Sequence, residues 1–104
     1  MEAEVTVVRI YLSEADHGLK RPLMQDVLHI LSKQQKVKGV AVFRGIAGIG
    51  DSGEVHASDM LRIMVDLPIV VEFFDTPEVA QAVLAVLKPL IPAGRTISWS
   101  ATRR

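Results

Sequence analysis

The stretch Glu4–Leu12 reads EVTVVRIYL, and its β-branched and apolar residues predict a β-strand. Apolar side chains fall on both of its alternating faces, which indicates a strand inside a sheet with partial cover on each side. A second apolar run, Ile69–Phe74 (IVVEFF), predicts another interior strand. The remaining elements must therefore be arranged around these two strands.

Two shorter runs predict the outer strands. Val40–Gly45 (VAVFRG) follows Gly39, and Thr96–Ala101 alternates polar with apolar residues. Strict alternation is typical of a strand that is buried on one face and exposed on the other. We therefore expect the last strand to lie at a half-exposed edge of the sheet.

Between the strands, two segments have helical spacing. The first predicted helix covers about Arg21–Lys36, with Pro22 in its first turn and Gly39 as its end signal. Its predicted buried residues are Leu23, Val27, Leu28 and Leu31.

The second helix is predicted to begin at residues 75–78 (DTPE), which combine a capping side chain, a proline and an acid in the first turn. Pro89 and Pro92 are expected to close it. Its predicted buried stripe is Val79, Val83, Leu84, Leu87 and Leu90.

The resulting order, β-α-β-β-α-β, predicts an α+β fold of the ferredoxin-like type, an antiparallel sheet with two helices on one face. The two interior strands fit its central positions. A chain of 104 residues is expected to form one domain, residues 1–104. The helices leave the other sheet face open, where Val5, Val7 and Tyr11 lie, and such an apolar face predicts self-association.

Composition narrows the class of function. Twelve basic and twelve acidic residues give a net charge of zero, which argues against a nucleic-acid binder. There is no cysteine, so disulfides, thiol nucleophiles and zinc–thiolate sites are excluded. No apolar run approaches the roughly 20 residues of a membrane span, and we expect a cytoplasmic protein without membrane insertion. Residues 17–50 are mainly basic and residues 51–78 mainly acidic, which allows a local anion site.

The segment Arg44–Gly50 (RGIAGIG) is the most informative candidate site. Glycines let backbone N–H groups approach an anion, and Arg44 can pair with it. The spacing is neither a dinucleotide fingerprint nor a P-loop. The alternative is a flexible connection whose glycines only permit bends. His56, beyond the glycines, is either a phosphate- or base-contacting group or a solvated side chain.

No catalytic constellation is evident, and we predict neither catalytic residues nor a metal site. Asp16 and His17 form a polar turn with no nucleophile beside them in the sequence. The enzymatic alternative would use His56 or His17 with Asp66 as acid and base at a subunit cleft.

Taken together, the motifs resemble those of the PII-like proteins grouped as the domain of unknown function 190 family. The resemblance covers nearly the whole chain, in order. It is carried by RIY at 9–11, RPL at 21–23, GVAVFRGIAGIG at 39–50, VHAS at 55–58, DLP at 66–68, and VVE at 70–72 running into Asp75.

This resemblance implies a ferredoxin-like homotrimer that binds a small ligand, typically an adenine nucleotide such as AMP, ADP or ATP, in clefts between subunits. By position, the cleft would be flanked by Arg44, Gly45, Gly48, Gly50 and His56. Where PII proteins have a phosphate-gripping loop with glycines and lysine, this chain has Lys88–Arg95, so an altered site is expected, with Arg44 and Arg95 supplying charge.

The resemblance also implies a mobile loop, residues 45–59, that contacts a target protein such as a transporter or an enzyme. Its tip would carry the docking residues Asp51, Ser52, Gly53 and Glu54. A regulatory binding protein is therefore the leading hypothesis. A purely structural oligomerisation domain without a ligand is the third possibility, beside the enzymatic one.

Overall fold

The computed structural model describes residues 2–16, 18, 20–46 and 67–104. The strands in this part of the chain are β1 (Ala3–Ser13), β2 (Gly39–Arg44), β3 (Pro68–Asp75) and β4 (Thr96–Arg103). The helices are α1 (Leu23–His29), which continues into a π-helical turn (Ile30–Gln34), and α2 (Pro77–Leu87). The predicted β-α-β-β-α-β order is confirmed.

The four strands form one antiparallel sheet in the order β2-β3-β1-β4. The two continuously apolar strands, β1 and β3, are central, as their composition predicts. Strand β4 lies at an edge, which confirms the expectation from its alternating pattern. Because the pairing continues without a bulge, Arg9 of β1 lies opposite both Glu72 of β3 and Ile97 of β4.

The core lies between one face of the sheet and the two helices. From the central strands it contains Val8, Ile10, Leu12, Ile69, Val71 and Phe73. From the helical segments it contains Leu23, Val27, Ile30, Leu31, Ala80, Val83 and Leu87. One cluster holds all of these side chains, so both helices cover the same face of the sheet, as the ferredoxin-like arrangement requires.

The first helix ends before Lys36, and the predicted bounds Arg21–Lys36 are wrong at both ends. After His29 the turns widen, and Gln35 N donates to Ile30 O at 2.9 Å. This π-helical turn changes the helical phase, so Ile30 and Leu31 both reach the core while Leu28 is only partly buried. Lys36, with φ 51°, ends the helix.

Gly39 is therefore not the end signal that the sequence predicts. It is the first residue of β2, where a Cβ atom would overlap the ring of Phe74 on the neighbouring strand. The position requires glycine because of this close packing between strands.

The second helix begins as predicted. Thr76 is the N-cap, and its hydroxyl accepts a hydrogen bond from Val79 N at 3.3 Å. The predicted buried stripe is wrong at both ends, since Val79 and Leu90 are exposed. The buried residues are Ala80, Val83 and Leu87, and Leu90 lies beyond the last helical turn.

The opposite face of the sheet carries no helix in the described part of the chain. We call it the free sheet face, and its larger side chains are Val7, Arg9, Tyr11, Phe43, Val70, Glu72, Phe74, Ile97 and Trp99. Near its centre the Arg9 guanidinium donates to Glu72 Oε1 at 2.7 and 3.0 Å and lies over the Trp99 ring at 5.3 Å. Hydrogen bonds with Glu72 and Tyr11 raise the pKa of Arg9.

Helix length also bears on membrane insertion. Neither described helix has both the length and the apolar character needed to cross a bilayer.

Candidate functional site

The two arginines predicted to supply charge lie at the same end of the sheet. Arg44 is the last residue of β2 and pairs with Ile69 near the start of β3. Arg95 precedes the first residue of β4, and its carbonyl accepts a hydrogen bond from Tyr11 N at 2.8 Å. Because β2 and β4 are the outer strands, the two arginines mark opposite edges of this end.

Arg44 is paired with an acid from the connection that follows β1. Its Nε lies 2.9 Å from Glu14 Oε1, and 63% of the Arg44 side chain is exposed. The backbone of Glu14 is anchored on β3's side of the sheet, since Glu14 N donates to Leu67 O at 3.1 Å. The Glu14 side chain therefore reaches from the end of β1, past the start of β3, to Arg44 at the end of β2.

Arg95 is paired with a second acid from the same connection. Its Nη1 donates to Asp16 Oδ2 at 2.5 Å. The same carboxylate oxygen accepts Ser13 N at 2.7 Å, and the Asp16 carbonyl accepts Leu23 N at 3.0 Å. Asp16 thus joins the end of β1, the start of α1 and the start of β4. We refer to Glu14, Asp16, Arg44 and Arg95 as the charged end of the sheet.

An open cavity of about 380 Å³ lies beside α2 and the connection to β4. Its wall includes Gly94 and Thr96, the residues on either side of Arg95. The other lining residues are mainly apolar and include Leu84, Ile91 and Pro92. An apolar cavity next to a charged cluster suits a ligand with a flat apolar part and an anionic part.

Sequence comparison gives the family. The family model DUF190, described as "Uncharacterized ACR", matches residues 5–102. The chain belongs to the DUF190 family. A UPF0166 protein of Methanocaldococcus jannaschii is 33% identical over 85 residues, which cover 82% of this chain and 77% of that protein. A UPF0166 protein of Aquifex aeolicus is 30% identical over 82 residues, which cover 79% of this chain and 77% of that protein.

Solved structures give the fold type. A structure of CPII, a nitrogen regulatory PII-like protein from Thiomonas intermedia K12, has a TM-score of 0.63 to this chain. The two are 16% identical, and the match covers 99% of this chain and 89% of CPII. That structure contains ADP, AMP and bicarbonate. This DUF190 protein therefore has the PII-like, ferredoxin-like fold.

Three of the predicted ligand-site residues of this DUF190 protein are described. Arg44 and Arg95 lie at the charged end of the sheet. Gly45 directly follows Arg44, and its N–H donates to Pro68 O at 2.8 Å. Gly48, Gly50 and His56 lie outside the described residues. So do the predicted docking residues Asp51, Ser52, Gly53 and Glu54. Their roles stay predictions.

The sequence did not point to the two acids that pair with the arginines. Glu14 is 30 positions from Arg44, and Asp16 is 79 from Arg95, so no local spacing relates them. The available signal was Asp16 itself, which we interpreted only as part of a polar turn. Asp16 has a structural role, because its contacts hold three elements together.

The enzymatic alternative uses a histidine with Asp66 as acid and base. His17, His56 and Asp66 all lie outside the described residues. Among the side chains that the structure does describe, no group of three histidines or acids is close enough to hold a metal ion.

Proposed function

We propose that this DUF190 protein is a PII-like regulatory protein that binds an adenine nucleotide in clefts between the subunits of a homotrimer. AMP, ADP and ATP are the ligands to consider. The segment 45–59 would be presented to a partner protein, such as a transporter or an enzyme. The nucleotides in the CPII structure, which shares the fold, support this choice of ligand.

The observation that carries the proposal is the position of the two arginines. Arg44 and Arg95 lie at the same end of the sheet but at its two opposite edges. A guanidinium group is well suited to pairing with phosphate oxygens. Two such groups at opposite edges suit a site that is completed by a neighbouring subunit.

The strand directions are compatible with that completion. Neighbouring strands are antiparallel throughout the order β2-β3-β1-β4, so β2 and β4 run in opposite directions. In a ring of copies related by rotation about an axis along the strands, the β2 edge of one copy could therefore face the β4 edge of the next in an antiparallel sense. Arg44 of one copy would then lie near Arg95 of its neighbour.

The cavity beside Arg95 supports a ligand with an aromatic base. Its mainly apolar wall suits a base, while the arginines suit phosphate groups. Ligand bound there would contact Arg44 and Gly45 of the neighbouring copy, where that copy's segment 45–59 leaves the sheet. It could then favour one conformation of that segment if it bound that conformation more tightly.

The free sheet face supports self-association. It exposes Tyr11, Phe43, Ile97 and Trp99 on one side of the sheet, and a large apolar patch on a small domain usually marks an interface. We assign this face to the contacts between subunits.

Calorimetry with AMP, ADP and ATP tests the proposal. We expect heat with at least one nucleotide, and a loss of roughly tenfold or more in affinity for Arg44→Ala and for Arg95→Ala. Arg104→Ala is the matched control, because Arg104 is also ion-paired, with Glu2, but lies at the far end of β4. The native mass of the wild type should be that of three chains.

Two results would contradict the proposal. Absence of heat with all three nucleotides would exclude this ligand class and favour a ligand-free oligomerisation domain. Equal binding by the wild type, Arg44→Ala and Arg95→Ala would place the nucleotide elsewhere on the molecule.

A further inference from the structure

The charged end of the sheet has no net charge. Two arginines and two carboxylates form two ion pairs, at 2.9 Å for Arg44 with Glu14 and at 2.5 Å for Arg95 with Asp16. A phosphate group that approaches Arg44 therefore also approaches the Glu14 carboxylate. The repulsion between this carboxylate and the ligand increases in proportion to the ligand's negative charge.

The two acids are held very differently. The Asp16 carboxylate also accepts Ser13 N, so it could not leave Arg95 without disturbing the turn. Within the described part of the chain, the only ion pair of the Glu14 side chain is with Arg44, and 30% of the Glu14 side chain is exposed, against 63% of that of Arg44. An incoming anion can thus displace the partly buried Glu14 carboxylate from the exposed Arg44 by rotation of these two side chains, whereas Asp16 stays in place.

We infer that Glu14 is a specificity-determining residue that selects phosphate ligands by charge. Its carboxylate competes with the ligand for Arg44 and disfavours a triphosphate more than a diphosphate, and a diphosphate more than a monophosphate. The inference rests on the proposed function, since it concerns the same site. Glu14 would therefore make the site selective for nucleotides whose phosphates carry few negative charges.

Glu14→Gln tests this inference, because it keeps the side-chain shape and removes the charge. We expect Glu14→Gln to bind all three nucleotides more tightly than the wild type. The gain in affinity should be largest for ATP, at roughly two- to fivefold, smaller for ADP and smallest for AMP. Glu4→Gln is the matched control, since Glu4 is exposed at the opposite end of β1 and should leave all three affinities unchanged.

Two outcomes would overturn the inference while the proposed function stands. Weaker binding of all three nucleotides by Glu14→Gln would mean that Glu14 positions Arg44 for the ligand. An equal change for AMP, ADP and ATP, or no change, would show that its charge does not select among them.

A nucleotide-free measurement keeps the inference testable if no nucleotide binds. The Arg44 Nε–Hε resonance can be titrated with inorganic phosphate, diphosphate and triphosphate in the wild type and in Glu14→Gln. We expect half-saturation at lower concentration in the variant, with the largest difference for triphosphate. Identical titrations in the two proteins would overturn the inference even if the proposed function had already failed.

Discussion

At the scale of single residues, Asp75 shows how a charged side chain can be part of the framework. It is only 4% exposed, at the end of β3. Its carboxylate accepts Thr76 N at 2.7 Å and Lys38 N at 3.0 Å, so it links the start of α2 to the residue before β2. A buried carboxylate is tolerated here because backbone donors satisfy it.

Replacing Asp75 with alanine should therefore be costly. The Lys38 and Thr76 N–H groups would lose their acceptor in a partly buried place, and we expect the free energy of unfolding to fall by about 2 kcal/mol. Urea denaturation measures this change. Glu78→Ala, at an exposed position in the first turn of α2, is the control and should cost far less. Equal effects of the two changes would contradict the linking role of Asp75.

Both arginines of the charged end are already ion-paired. Arg44 and Arg95 are both suited to binding anions, but each already has a carboxylate partner. The Arg44–Glu14 pair is the more exposed of the two, and a partly exposed ion pair contributes little to stability. Removing Glu14's charge should hence change ligand affinity much more than it changes folding.

At the scale of elements, the end of α1 departs most from the sequence prediction. The helix widens into a π-helical turn, and Lys36 then adopts φ 51°, the left-handed region that favours glycine. Val37 N donates back to Leu31 O at 3.1 Å and completes the termination. A lysine at this position carries a backbone strain that glycine would not have.

Lys36→Gly should accordingly stabilise the protein. Relief of the left-handed strain exceeds the added flexibility of the unfolded chain, and we expect a gain of about 0.5 kcal/mol in the free energy of unfolding. Thermal or urea unfolding measures it. The same change at Lys38, which has no positive φ, should instead destabilise. A loss of stability in Lys36→Gly would show that the turn gains nothing from glycine.

At the scale of the whole molecule, the sheet has two unlike faces. One is covered by α1 and α2, and the other carries exposed aromatic side chains around the Arg9–Glu72 pair. An ion pair in the centre of an apolar face can be covered only by a surface that matches its charges. Self-association through the free sheet face is the arrangement that we propose.

Phe43→Asp tests that arrangement, because Phe43 lies on the free sheet face and is 52% exposed. We expect the native mass to fall from that of an oligomer to that of a single chain, since a carboxylate would be buried without a partner. Light scattering at micromolar concentration measures the mass. Val86→Asp, at a 39% exposed position on α2, should leave it unchanged. An unaltered mass in Phe43→Asp would place the interface elsewhere.

The sequence by itself determined the element order, the central places of β1 and β3, the edge place of β4 and the start of α2. These features follow from local patterns, because apolar residues on both faces require cover, and a capping threonine followed by proline favours a helix start. It also brought Arg44 forward as a candidate for anion binding, through the glycines that follow it, and Arg95 through the resemblance to a family.

Only the tertiary structure decided what those arginines contact. The pairing of Arg95 with Asp16 joins residues 79 positions apart, and the need for glycine at position 39 comes from the Phe74 ring on another strand. The early end of α1 likewise reflects how Ile30 and Leu31 pack against the sheet. Such contacts depend on which elements the fold brings together, and no local spacing in the chain records them.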